Sequence, residues 1–186
     1  MLEDSDQNLF GGYLLLSLAG RPLEFHCTTP IRPNRAQRIL YGPTLEPFLF
    51  GELIGGTLYR KATTVPGVVC TDVFAAVCLR EHIDVPVVLV LPSEEMEPSG
   101  DARPVPRSEG PSAAAAAVLR VDAPHAPRPP LVEFCWRANR LAVPARGGGE
   151  RDLILEQLAG AEELLDLAEP FERIRQAIDE ARGGGR

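Results

Sequence analysis

The chain has 186 residues, of which 45% are hydrophobic and 24% are charged. These fractions are typical of a globular protein with a buried core, and they exclude disorder along the whole chain. The net charge of −7 disfavours bulk attraction to nucleic acid or to an anionic membrane, so we expect neither as the main partner.

No apolar run approaches the roughly 18 residues that are needed to span a bilayer. The first residues are acidic and lack the basic and apolar regions of a secretory signal, so we expect a soluble, cytoplasmic protein without membrane contacts. The four cysteines show no Cys-x-x-Cys spacing, which argues against a disulfide framework and against a zinc ribbon. They are Cys27, Cys70, Cys78 and Cys135. We therefore expect no metal and no cofactor.

Residues 13–18 and 23–28 are predicted to form a β-hairpin around a turn at 19–22. The return strand places three side chains on the face that we expect to meet the core: Leu23, Phe25 and Cys27. The opposite face carries Glu24, His26 and Thr28. Because neighbouring residues on a strand point to opposite sides, His26 and Cys27 cannot form a thiol–imidazole pair for nucleophilic catalysis.

A polar passage from Thr29 to Gly42 carries the one local basic cluster of the chain, Arg32, Arg35 and Arg38. Arginines grouped in this way can bind a phosphate or an acidic partner. The ordinary alternative is that they are solvated side chains at the ends of loops and helices. Contact with nucleic acid through this cluster is a third hypothesis for the function.

A helix is predicted from an N-cap at Thr44 to about Lys61, and its apolar residues surround most of its circumference. Gly51 and Gly55 lie one turn apart in this helix. Glycine in a helix interior costs about 1 kcal/mol relative to alanine. We therefore expect a neighbouring backbone to approach this face closely.

Residues 68–70, 73–82 and 85–91 read as strand, short helix and strand, which predicts a parallel βαβ unit. Residues 87–91 contain no polar side chain, as expected of a strand that is covered on both faces. Asp72 follows the first strand and precedes the helix. In open α/β sheets ligands bind at such a place, although Thr71 or Asp72 could equally be an ordinary helix cap.

Residues 92–130 are rich in proline, glycine and alanine and are predicted to be a mobile insertion with one short strand at 118–121. Residues 131–137 then alternate as a strand, and residues 140–144 are expected to pair back against it.

The C-terminal residues 150–182 carry two apolar stripes at helical spacing, with a kink or a break between two helices expected at Pro170. The helices are expected to pack on the sheet of their own chain. The alternative is an arm that swings on a glycine hinge at 147–149 and docks on a partner subunit. In that case deletion of residues 150–186 would abolish association and leave a folded remainder.

The sequence thus predicts an α+β (mixed α/β) single domain with a mixed sheet, an N-terminal hairpin, one βαβ unit and C-terminal helices. Residues 1–91 and 131–182 are expected to form this one domain.

No nucleophile motif, carboxylate pair or phosphate loop is evident, so the leading hypothesis is a non-catalytic protein-interaction or scaffold module. It would associate with itself or join a larger assembly through the sheet edge or the C-terminal helices. The alternative is a small enzyme or ligand-binding protein, with no catalytic residue identified. Its ligand would be held by Thr28, Thr29, Cys70, Thr71 and Asp72.

Overall fold

The computed structural model describes residues 2–3, 8–92, 130–145, 149–161 and 165–183. Residues 93–129 of the predicted insertion at 92–130, its strand at 118–121 and most of the glycine hinge therefore lie outside the described residues.

The strands in chain order are β1 (Leu2–Glu3), β2 (Leu9–Phe10), β3 (Gly12–Leu16), β4 (Pro22–Cys27), β5 (Val69–Thr71), β6 (Val87–Leu91), β7 (Leu131–Trp136) and β8 (Asn139–Pro144). The α-helices are α1 (Arg35–Tyr41), α2 (Gly56–Lys61), α3 (Glu150–Leu158) and α4 (Glu169–Gly183). A π-helix spans Pro47–Gly55, and 3₁₀-helices span Gly42–Thr44 and Phe74–Glu81.

The main sheet has four strands in the order β5-β6-β8-β7. β5 pairs with β6 in parallel, whereas β8 pairs antiparallel with β6 on one side and with β7 on the other. β3 and β4 form a separate antiparallel hairpin, and β1 pairs with β2. The predicted α+β class, the mixed sheet, the hairpin and the parallel βαβ unit are confirmed.

The hairpin has the predicted strand parity, but the prediction of which face meets the core is wrong. Leu23 is 62% exposed and Phe25 is 38% exposed, and Cys27 is exposed with them. Glu24 and His26 occupy the half-buried side instead. The alternation of side chains along a strand shows which residues share a face, but it does not show which face is buried. Here the polar face can be half-buried because Glu24 forms hydrogen bonds with His26 and Thr63.

The helix predicted at 44–61 is present, but its first part is a π-helix and Thr44 is not its cap. The Thr44 hydroxyl donates to the Tyr41 carbonyl at 2.8 Å, and no side chain caps the π-helix. The preceding α1 was not predicted. Asn34 caps it through a reciprocal box, in which each of Asn34 and Gln37 accepts from the other's backbone N–H.

The close approach predicted at the helix glycines is confirmed. A Cβ added at Gly51 would overlap the Cys78 sulfur and would lie 3.1 Å from the Leu79 nitrogen. A Cβ at Gly55 would lie 3.2 Å from the Leu79 side chain. The π-helix therefore packs against the 3₁₀-helix of the βαβ unit through two positions without side chains.

α3 and α4 are separate helices, as one of the two predicted alternatives requires, and Pro170 lies in the first turn of α4. Both pack on strands of their own chain: Ile154 and Leu158 join the core under the main sheet, while Ile174 and Ile178 pack on Phe10. The described parts of α3 and α4 thus pack within one chain, which is the first of the two predicted arrangements. No helix among the described residues is long and apolar enough to cross a membrane.

Candidate functional site

An apolar cavity of about 500 Å³ separates the hairpin from the four-stranded sheet. β3 forms one side wall, and β5 with Val68 forms the opposite one. The π-helix and α2 contribute the roof through Phe50, Ile54 and Leu58. The C-terminal helical region contributes the floor through Leu158, Phe171 and Ile174. The cavity thus lies between two strands and between two helical layers.

Two consecutive glycines allow helices to cover both faces of the hairpin beside this cavity. A Cβ at Gly11 would overlap Ile54 of the π-helix, and a Cβ at Gly12 would overlap Ile174 of α4. Because neighbouring strand residues point to opposite sides, the two helices lie on opposite faces. The sequence Gly11-Gly12 therefore lets the π-helix and α4 approach the two faces of the hairpin closely at the start of β3.

The two side walls present strand edges that pair with no other strand in the described part of the chain. The Thr28 N–H donates to the Gly11 carbonyl at 2.9 Å, so Gly11 and Thr28 form a hydrogen-bonded pair of the antiparallel ladder. Because such pairs alternate with pairs that share no hydrogen bond, the backbone N–H and C=O groups of Gly12 and Leu14 point away from β4. The Val69 N–H donates at 2.9 Å to the carbonyl of Pro86, which directly precedes β6. The backbone N–H and C=O groups of the next residue, Cys70, therefore point away from β6. All three outward-turned residues line the cavity.

Three of the five predicted ligand-site residues, Cys70, Thr71 and Asp72, line one end of this cavity. The other two do not: the Thr28 hydroxyl accepts from the Gly11 N–H at 3.0 Å, and Thr29 is exposed. The structure therefore brings together the part of the predicted site that lies on β5. It separates this part from the end of the hairpin.

The polar groups at this end of the cavity already have partners within the chain. The Asp72 carboxylate is bound by the Arg175 guanidinium of α4. The Thr71 hydroxyl accepts from the Val73 N–H at 3.1 Å. Neither side chain caps the 3₁₀-helix, whose N-cap is Val73, so the prediction of an ordinary helix cap is wrong. Asp72 instead ties the end of β5 to the C-terminal helix.

The two partly buried thiols remain protonated at neutral pH. Burial, which removes water from around the thiolate form, raises the pKa of Cys70 to about 12. Burial, followed by the charge of Glu81, raises the pKa of Cys78 to about 11. A protonated thiol is a poor nucleophile, so neither residue suits covalent catalysis.

The inner face of the hairpin carries a polar group that sequence reasoning missed. His26 Nε2 lies 2.5 Å from Glu24 Oε1, and the Thr63 N–H and hydroxyl donate to the same carboxylate at 2.8 and 2.9 Å. The Tyr13 ring stacks on His26, and its hydroxyl is buried without a hydrogen-bond partner among the described residues. Burial, aided by Glu24, raises the pKa of Tyr13 to about 12.

A signal for this group was present in the sequence. Glu24 and His26 are two residues apart on a strand and therefore share a face. Thr63, 39 residues further along the chain than Glu24, carried no such signal.

The three predicted phosphate-contacting arginines do lie together. Arg32, Arg35 and Arg38 line a surface cleft of about 330 Å³ with Pro33 and Asn34. Arg38 donates to the Pro33 carbonyl at 3.4 Å, and the Asn34 side chain is used in the cap of α1. All three arginines are exposed, and the cleft shares no lining residue with the apolar cavity, so it is a separate surface.

The predicted separation of Cys27 from His26 is observed. Cys27 is exposed on one face of β4, whereas His26 binds Glu24 on the other. Within the described ranges no group of three or more histidine, cysteine or acidic side chains is placed to hold a metal ion.

We expect Asp72→Ala to lower the free energy of unfolding by about 1 kcal/mol, because it removes the closer of the two carboxylates that pair with the partly buried Arg175 and leaves only Glu172, at 3.6 Å. Thermal unfolding of the full chain measures this loss. Asp179→Ala is the matched control on the same helix, since the Asp179–Arg182 pair is exposed and spans 3.6 Å. An unchanged melting temperature in Asp72→Ala, together with loss of an enzymatic activity, would favour the enzyme hypothesis instead.

We also expect a pH-dependent contribution from Glu24. Its hydrogen bonds with His26 and then Thr63 lower the pKa of its carboxyl group from 4.5 to about 2. A lowered pKa in the folded state contributes stability that is fully present above pH 4.5 and is lost as the pH falls toward 2. The melting-temperature difference between the wild type and Glu24→Gln should therefore shrink over this interval. A difference that stays constant through the interval contradicts the prediction.

No protein-family model matches this chain, and no curated protein or solved structure matches it either. The proposal for its function therefore rests on the geometry of the site.

Proposed function

We propose that this chain is a non-catalytic interaction module and that the apolar cavity between β3 and β5 is its recognition site. The observation that carries the proposal is the cavity itself. Its volume of about 500 Å³ lies in the range of pockets that bind ligands, roughly 300–1,000 Å³. Apolar surface of a partner that enters it would gain roughly 2.5 kcal/mol for each 100 Å² removed from water.

The state of the polar groups in the wall supports binding over chemistry. The Asp72 carboxylate is held by Arg175, and the Cys70 thiol is protonated. Neither group is poised to accept a proton or to attack a substrate. The alternative of a small enzyme at Cys70, Thr71 and Asp72 uses the same end of the cavity, and the Asp72→Ala variant distinguishes the two.

The arrangement also favours a partner at the sheet edge over one at the C-terminal helices. α3 and α4 already bury their apolar stripes on their own chain. The edges of β3 and β5 have no strand partner within the described residues. Of the two surfaces that the sequence offered for association, the edge is the one that remains available.

A cavity-filling variant tests the proposal. Val69 lines the cavity from β5, so Val69→Phe should reduce the affinity for Nile red, a neutral apolar dye that fluoresces in apolar surroundings, by tenfold or more. Val132→Phe is the matched control, because Val132 lies on the opposite edge strand and is 47% exposed.

Circular dichroism verifies that each variant is folded. Ala76→Leu fills the same cavity from the 3₁₀-helix and replaces Val69→Phe if that variant is unstable. Equal dye binding by the wild type and a folded cavity-filling variant, or no binding by the wild type, would overturn the proposal.

A further inference from the structure

We propose that the occupant of the cavity is an extended, uncharged, apolar segment of a partner protein that pairs as a strand with both β3 and β5. This inference rests on the proposed function and adds the chemical class of the partner. Its basis is the pair of strand edges that form the cavity walls.

The edges require an occupant that offers hydrogen bonds on two sides. The backbone groups of Gly12 and Leu14 turn toward the cavity from β3, and those of Cys70 turn toward it from β5. Buried backbone N–H and C=O groups are nearly always paired. An acyl chain or another purely apolar ligand would leave them without partners. A strand carries donors and acceptors along both of its edges, and strand addition is a common mode of peptide recognition.

The two walls run in opposite directions, which sets the geometry of the inserted strand. β3 begins at Gly12, which lies beside Ile174 of α4. The chain after β3 reaches Leu18, whose side chain lies beside Gly160, just after the end of α3. β5 is preceded by Gly67 beside Gln157 of α3, and it is followed by Asp72 on Arg175 of α4. A strand between them is therefore parallel to one wall and antiparallel to the other.

The length and the side chains of the segment follow from the walls, roof and floor. The walls contain five residues in β3 and three in β5, which span about 10–17 Å of extended chain. Phe50 and Ile54 cover the cavity from one side, and Phe171 and Ile174 cover it from the other. A segment of three to five residues would thus have apolar side chains on both faces, as the buried strand β6 has in this chain.

The charge of the lining excludes a charged segment. Asp72 is the one ionisable acid or base among the described lining residues apart from the thiol and the phenols, and Arg175 already neutralises it. A charged side chain that entered the cavity would be removed from water without a counter-ion, at a cost of several kcal/mol. Uncharged, β-branched residues such as valine and isoleucine are the complement of this lining.

Selection from a random library tests the inference. A phage library of linear peptides with six random residues is selected on the full-length wild-type chain, with counter-selection on Val69→Phe. We expect sequences with three to five consecutive apolar residues to be enriched at least tenfold over the counter-selected pool. A synthetic copy of an enriched peptide, N-methylated at alternate residues, keeps its side chains but loses one set of strand hydrogen bonds. Its affinity should fall by tenfold or more.

Two outcomes would overturn the inference: no enrichment over Val69→Phe, or equal affinity of the N-methylated and unmodified peptides. If Nile red binds the wild type and is excluded by Val69→Phe while no peptide is enriched, the strand inference fails and the cavity remains a site for another apolar ligand. If Nile red also fails to bind, the proposed function fails with it.

Discussion

A chain truncated before Glu150 is expected to lose its cooperative fold, because α3 and α4 supply part of two of the four apolar clusters among the described residues. Ile154 and Ile178 are 0% and 2% exposed, and Leu158 and Ile174 are 4% and 8% exposed. Each such side chain contributes about 1.5–3 kcal/mol when it is buried. Four of them together approach the 5–15 kcal/mol of net stability that is typical of a domain.

Thermal unfolding followed by circular dichroism measures the effect in the truncated chain. Two neighbouring substitutions in the intact chain isolate the packing contribution. Ile154→Ala should cost about 2–5 kcal/mol, whereas Leu153→Ala, at a side chain that is 50% exposed, should cost well under half as much. A truncated chain that still melts cooperatively near the wild-type temperature would show that these helices are dispensable. It would restore the hypothesis of a docking arm.

Gly51→Ala is expected to destabilise the fold by about 2–4 kcal/mol. The added Cβ would overlap the Cys78 sulfur. That sulfur cannot move freely, because its S–H group lies 3.0 and 3.1 Å from the carbonyls of Ala75 and Pro47. Overpacking of a well-filled interior costs typically 1–3 kcal/mol and occasionally more. Equilibrium denaturation measures the loss.

Gly56→Ala is the matched control, since the nearest atom to its added Cβ is the end of the flexible Arg60 side chain at 3.0 Å. For Gly56→Ala we expect the free energy of unfolding to stay unchanged or to rise by up to about 1 kcal/mol, because alanine has a higher helix propensity than glycine. Cys78→Ala should restore part of the stability of Gly51→Ala, because it removes the overlapped atom. Equal stability of Gly51→Ala and Gly56→Ala would show that the two helices do not meet as described.

Local patterns in the sequence predicted local features of the fold correctly. The one-turn spacing of Gly51 and Gly55 indicated a close approach, and the apolar run at 87–91 indicated a strand covered on both faces. Both are observed. The prediction of which residues of β4 share a face was also correct, since it depends only on the geometry of one strand.

Features that depend on distant residues were not predictable in the same way. The hairpin turns Glu24 inward because Thr63 supplies hydrogen bonds to its carboxylate. Asp72 is paired with Arg175 rather than used as a cap, and 103 residues separate the two in the chain. The cavity itself arises where helices from both halves of the chain hold β3 apart from β5. No periodicity within either strand contains that information.

The most direct test of the recognition site is a map of Nile red binding on the full-length chain with isotope-labelled methyl groups. Two-dimensional NMR spectra during a titration should show shifts at the methyl groups of Leu14 and Val69, which line the cavity, and none at Val132. Shifts at Leu14 without any at Val69 would place the dye on the face of the hairpin where Leu14 lies opposite the exposed Phe25, and would contradict the assignment of the cavity.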